Sequence, residues 1–295
     1  MIYMNIVALL VGLGPLLGWG FYPTVASKFG GKPTNQIIGS TVGTLIFAIV
    51  FNLIAKINLP TGKALIWSII SGCGWAFGQV MTFKAFQYVG SSRVMPITTA
   101  FQLLATTLWG VFALGNWPGL TNKIWGIIAL LVIIIGAAMT AWQEHQSKAN
   151  HGDLIKAVIR LLIGVIGYWL YSAAPQAAHI NGQHAFLPQA AGMVLLALIY
   201  CISHLKKENV FREPVTYKQI ISGFFFAFAA LTYLISAQPQ MNGLATGFVL
   251  SQTSVILATL SSVYVLHQRK TPKEMVVTVI GLILIVVSAS VTVMI

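Results

Sequence analysis

Apolar runs of about twenty residues recur ten times along this chain, at approximately 5–25, 36–55, 64–88, 93–114, 122–142, 154–174, 184–204, 218–238, 244–266 and 274–294. A helix needs about 20 such residues to cross the hydrocarbon of a bilayer, so the repetition predicts a helix-spanned membrane protein. The chain is 57% hydrophobic and 7% charged, whereas a soluble domain is roughly one-quarter charged. A water-facing surface cannot be built from this composition. The breaks between runs carry turn chemistry or charge, as in GGKPTN at 30–35, INLPTGK at 57–63, GNWPG at 115–119 and HQRKTPKE at 267–274. MIYMN at the start has no basic region, so the first run is expected to be a permanent helix.

The net charge of +12 would suggest nucleic acid in a soluble chain; here it bears on orientation. With the termini on one side, the opposite side collects Lys28, Lys32, Lys84, Arg93, Lys148, Lys156, Arg160, Lys206, Lys207, Arg212, Lys218, Arg269, Lys270 and Lys273, leaving Lys56, Lys63 and Lys123 on the terminal side. The positive-inside rule makes the basic side cytoplasmic and places both termini outside.

The two halves echo each other. IISG at 69–72 recurs at 220–223, Ala76-Phe77 matches Ala227-Phe228, and Gln87 falls on Gln238 in the same register. Gly18, Tyr22 and Gly43 align with Gly167, Tyr171 and Gly192, and Gln102 meets Gln252 after a one-residue shift. The expectation is an all-α integral membrane fold of ten transmembrane helices in two inverted five-helix repeats, 1–148 and 149–295. Five is odd, so the second unit enters the membrane upside down. Inverted repeats of this kind place a substrate site near mid-membrane where the repeats meet. SSRVMPITTAFQ at 91–102 and MNGLATGFVLSQTS at 241–254 become counterparts that line a cavity, because polar helix openings facing lipid are disfavoured.

The acids are Glu144, Asp153, Glu208, Glu213 and Glu274, all in connections or at helix ends. No carboxylate pair, HExxH or nucleotide-binding loop is present, so the chain is not expected to be an enzyme, and no cofactor or metal is expected. Cys73 and Cys201 fall inside apolar runs and read as small hydrophobic fillers. What the spans do hold is uncharged polarity with aromatics, among them Trp19, Tyr22, Trp75, Gln79, Gln102, Tyr168, Trp169, Tyr171, Gln176, Gln189, Tyr233, Gln238 and Gln252. Such a lining suits a sugar, whose hydroxyls pair with amides and whose C–H faces stack on rings. Each has a blander reading: tryptophan and tyrosine as interfacial anchors, mid-membrane glutamine as a bridge between helices. Lys84 either snorkels to the cytoplasmic surface or, like Arg93, acts in gating or coupling. His179 and His184 lie in an outer connection and read as solvated.

The stretches GLGPLLGWGFYPTVASKFGGKP at 12–33, SGCGWAFGQ at 71–79, GSSRVMPITTAFQL at 90–103, GYWLYSAAPQA at 167–177 and ISAQPQMNGLATGFVLSQTSV at 235–255 resemble the bacterial glucose/ribose porter family of the drug/metabolite transporter superfamily. The resemblance spans the chain. It implies sugar import across the bacterial cell membrane, ribose before glucose, with proton symport possible. It implies no nucleic-acid partner. Its motif-bearing positions here are Trp19, Trp75, Gln79, Lys84, Arg93, Pro96, Gln102, Tyr168, Trp169, Gln176, Gln238, Asn242 and Gln252. Where the family pattern carries an acid just before GYW, this chain has Val165, which removes one coupling carboxylate. The superfamily also implies cytoplasmic termini, against the charge count. A drug or metabolite exporter is the competing expectation; it is disfavoured because cationic drugs would call for a buried carboxylate.

Overall fold

A computed structural model describes residues 6–89, 91–144, 151–205, 209–267 and 270–295, with the side chains of 91–93, 96 and 262 left out. Gly90, Lys148, Lys206, Lys207, Glu208, Arg269 and the 148/149 boundary, all invoked above, lie outside the described residues, as does the Arg93 side chain. Twelve helices are described: α1 Ile6–Gly12, α2 Gly14–Phe29, α3 Pro33–Ala55, α4 Gly62–Val89, α5 Ser91–Phe112, α6 Leu120–Thr140, α7 His151–Ala177, α8 Gly182–His204, α9 Pro214–Ser236, α10 Gly243–Ser251, α11 Ser254–Tyr264 and α12 Pro272–Met294. Among the described residues there is no strand.

Among the described residues, nine stretches are long and apolar enough to cross a membrane, with α1–α2 and α10–α11 each counting as one; α5 adds the shorter apolar segment Ile97–Phe112. The predicted spans are therefore present, two of them interrupted. Leu13 separates α1 from α2, and Pro15 at the start of α2 has no N–H to offer the preceding turn. Between α10 and α11, the N–H groups of Gln252, Thr253, Val255 and Ile256 donate to carbonyls three residues back rather than four. That tighter winding is a common site of a hinge.

Glycines set how the helices approach. A β-carbon on Gly72 of α4 would strike the Gln189 carbonyl of α8, and one on Gly223 of α9 would strike the Ser40 carbonyl of α3. Gly43 likewise meets the Ile220 carbonyl, Gly192 that of Ile69, Gly18 that of Phe225 and Gly167 that of Gly74. Small residues at such crossings bring backbones into contact, which is how membrane helices pack without a hydrophobic drive between them. These contacts come in matched sets: Gly43–Ile220 with Gly192–Ile69, Gly223–Ser40 with Gly72–Gln189, and Gly18–Phe225 with Gly167–Gly74. The packing of helices follows suit, α2 on α9 as α4 on α7, α3 on α9 as α8 on α4, and α11 on α2 as α5 on α7.

Contacts between connections join the same ends of the bundle that charge grouped. On the basic side, Lys32 pairs with Glu213 at 3.3 Å and Lys273 with Glu144 at 2.9 Å. There Lys270 also donates to the Thr140 carbonyl and to Thr278 Oγ1, each at 2.9 Å. Burial pulls the Lys270 ammonium below the ordinary lysine range, against the pull of Glu274. At the opposite end, His184 Nδ1 lies 2.9 Å from the Asn58 carbonyl, and Asn122 Nδ2 donates to the Ile295 carbonyl at 3.2 Å. Large apolar side chains such as Leu53, Ile54, Ile166 and Val276 stay more than half exposed. In a bilayer they face acyl chains.

Candidate functional site

A cavity of about 460 Å³ lies among α2, α4, α5, α7, α9, α10 and α11, within the roughly 300–1,000 Å³ of small-molecule sites. Its deep wall is aromatic. Phe226 of α9 is the hub: its ring centroid is 4.3 Å from Trp75, 5.6 Å from Tyr22 and 6.1 Å from Trp19. Its outer lining, with Ser27, Gln36, Phe86, Met95 and Leu266, lies beside the basic connections, so the cavity opens toward that side.

Polar side chains are held at fixed places on this wall. The Tyr168 hydroxyl donates to Gln79 Oε1 at 2.9 Å and lies 3.0 Å from Thr82 Oγ1, which itself reaches the Gly78 carbonyl. The Gln79 amide is thereby oriented with its NH2 left to donate. Gln102 Nε2 donates to Thr98 Oγ1 at 3.2 Å and Gln252 Nε2 to Ser251 Oγ at 3.1 Å, which leaves both amide oxygens as acceptors. Trp19 Nε1 and the Tyr171 hydroxyl are buried and have no hydrogen-bond partner among the described residues. Such orphans are uncommon in native structures and point to a missing partner. Taken together the wall offers donors, acceptors and ring faces without a formal charge. That is the chemistry of polyhydroxyl recognition, in which amides pair with hydroxyls and rings cover apolar faces.

Of the residues singled out in the sequence, Trp19, Trp75, Gln79, Gln102, Tyr168 and Gln252 line this cavity together. Trp169 does not: it stands edge-on to Trp109 at 5.1 Å, in a separate hollow of about 520 Å³ with Ala105, Leu108, Phe112 and Val165. That hollow is larger, but its walls are apolar and Phe112 and Ile166 are exposed there, so it suits acyl chains rather than a sugar. Gln176 is buried near the end of α7, and Gln238, just past α9, accepts from Gln240 Nε2. Both lie toward the terminal side, away from the cavity mouth. Lys84 sits 5.6 Å from the Tyr200 ring centroid of α8, a cation–π contact directed away from the cavity. Arg93 is in the first turn of α5.

Phe226, Thr82, Thr98, Ser172 and Gln36 line the cavity without having been picked out in the sequence. For Phe226 a signal existed: the register that pairs IISG at 69–72 with IISG at 220–223 sets Trp75 opposite Phe226. Thr82 and Ser172 offered none, since a lone hydroxyl in an apolar helix is usually absorbed by its own backbone.

Among the described residues, nine long apolar helical stretches and a shorter tenth surround an uncharged polar cavity, the architecture of a polytopic membrane transporter. The profile of the family described as "Sugar transport protein" matches residues 10–295, and the chain belongs to that family. Proteins named "Putative ribose uptake protein RbsU" in Staphylococcus epidermidis and Staphylococcus aureus are 66% identical over 292 residues, covering 99% of this chain and all of theirs. A crystal structure 17% identical in sequence superposes with a TM-score of 0.76 over 97% of this chain and 96% of that one, a likeness of fold alone. The chain is thus a sugar transporter, multi-pass in the bacterial cell membrane, and a transporter family rather than an enzyme family claims it.

Proposed function

We propose that the chain imports ribose by alternating access, with the cavity as its sugar site and two inverted repeats, 1–148 and 149–295, as the moving halves. The observation that carries this reading is pairing across the cavity. In the register that aligns Gly18 with Gly167, Trp19 and its counterpart Tyr168, and Tyr22 and its counterpart Tyr171, all line the cavity; Trp75 and Phe226, and Gln102 and Gln252, are likewise counterparts in the lining. Each pair contributes both members to one lining, as expected where a two-fold axis passes through a site at the repeat interface. Ribose is favoured by the names of the staphylococcal relatives.

The charge count makes the open side cytoplasmic, so this conformation faces inward. Proton symport would require a group that titrates in the pathway, and the titratable side chains among the described lining residues are tyrosines, Tyr22, Tyr168 and Tyr171. With Val165 in place of an acid as well, transport is equilibrative. Net uptake then depends on whatever consumes free sugar inside.

Uptake of labelled ribose into membrane vesicles tests the site. Gln79→Ala, Trp75→Ala and Gln252→Ala abolish uptake while the protein still inserts; normal uptake in all three would refute it. Unlabelled ribose competes better than glucose, and lipophilic cations do not compete. The reverse order would move the substrate to the hexose or drug class.

A further inference from the structure

Gln176 Nε2 is buried inside the bundle, 6% exposed, with no hydrogen-bond partner among the described residues, and the fully buried Tyr233 hydroxyl has Ser172 beside it as a hydrogen-bonding neighbour. Leaving a buried polar group unsatisfied costs about 1–3 kcal/mol. A sequence keeps such a cost where a second conformation removes it.

The register of the two halves says which conformation. Ser27 and Thr82 line the observed cavity, and their counterparts are Gln176 and Tyr233. Phe86, also in the lining, has Ala237 as its counterpart, which is 1% exposed. The two ends of the bundle differ in the same sense. At the terminal side, Asn116 Oδ1 accepts the Ala245 N–H at 2.8 Å, joining the connection after α5 to the start of α10. The counterpart residues, Leu266 and Met95, both line the open mouth on the other side, and Met95 is 46% exposed where Ala245 is 0%.

We propose that Gln176 and Tyr233 form a second, outward-facing sugar subsite, taking in an outward-open state the positions that Ser27 and Thr82 hold in the inward-opening cavity. There the Gln176 amide donates to a sugar oxygen and the Tyr233 hydroxyl exchanges hydrogen bonds with sugar hydroxyls, so pentoses and related polyols are its ligands. Closing the inner mouth brings Met95 to Leu266 as Ala245 now meets Asn116. The inference rests on reading the cavity as the sugar pathway and the halves as inverted repeats.

The test uses the full chain in a Cys73→Ser/Cys201→Ala background, in right-side-out membrane vesicles treated from outside with a membrane-impermeant maleimide. Gln176→Cys and Ala237→Cys are expected to react, several-fold more slowly with saturating ribose; two positions are used so that one variant failing to insert leaves the other. In inside-out vesicles Ser27→Cys reacts, also with protection by ribose. If Ser27→Cys is protected while Ala237→Cys stays unreactive from outside in protein that still takes up ribose, and Gln176→Cys that inserts is also unreactive, the outward subsite is overturned and the cavity reading stands. Loss of ribose protection at Ser27→Cys together with both outer positions overturns the cavity reading as well.

Discussion

The tyrosine that holds Gln79 shows how the site is tuned one side chain at a time. Tyr168 donates to Gln79 Oε1 at 2.9 Å, so its hydroxyl fixes which end of the amide points into the cavity. Tyr168→Phe keeps the ring and removes that donor, leaving the amide free to turn over. The loss of one oriented hydrogen bond is worth about 1 kcal/mol, so the ribose concentration for half-maximal uptake should rise roughly five- to tenfold, with surface expression unchanged. Concentration-dependent uptake reads this directly, and an unaltered curve would remove Gln79 from the recognition wall. Trp75 would act by area instead, through the ring that lies tilted against Phe226 at 4.3 Å; Trp75→Phe should retain more uptake than Trp75→Ala.

Helices show what the sequence could and could not reveal. Span positions were legible because the bilayer fixes a length and any chain must meet it with apolar residues. Gly43 and Gly192, aligned in the sequence, both sit at crossings where a β-carbon would strike a carbonyl, which supports the proposed register between the halves. Rotation about each helix axis was not legible. In a soluble helix the polar face marks the outside, but here lipid and core are both apolar, and nothing distinguished Tyr168, which faces the cavity, from its neighbour Trp169, which faces Trp109. The interruption at Gln252–Thr253 was hidden for another reason: the sequence carries no proline or glycine there, and the tighter turns of 252–256 are seen only in the hydrogen bonds. Gly72→Ala and Gly223→Ala overpack the α4–α8 and α9–α3 crossings, which typically costs about 1–3 kcal/mol; a lower melting temperature in detergent checks it. Asn116→Ala removes the acceptor that joins the Ala245 N–H and should populate the outward state, seen as faster outside labelling of Ala237→Cys.

At the scale of the whole molecule, the matched contacts between halves are what a rocking transporter needs. The halves meet through matched glycine crossings while the cavity opens at one end of the bundle, so on the proposed mechanism exchanging the two arrangements would open the other end. The cytoplasmic and outer states need differ by only a few kcal/mol for both to be visited. On the equilibrative reading proposed above, moving between states carries no obligatory proton, in keeping with the acids Glu144, Asp153, Glu208, Glu213 and Glu274 lying outside the middles of the spans. Uptake at equal sugar gradients should therefore be the same with and without an inward pH gradient, and acceleration by acid outside would restore symport. Counterflow in reconstituted vesicles probes the central claim most directly. Vesicles preloaded with unlabelled ribose should draw in labelled ribose transiently above its outside concentration, and this overshoot should vanish in Trp75→Ala and Gln79→Ala. No overshoot in the native chain, or an undiminished one in both variants, would contradict a sugar site between the halves.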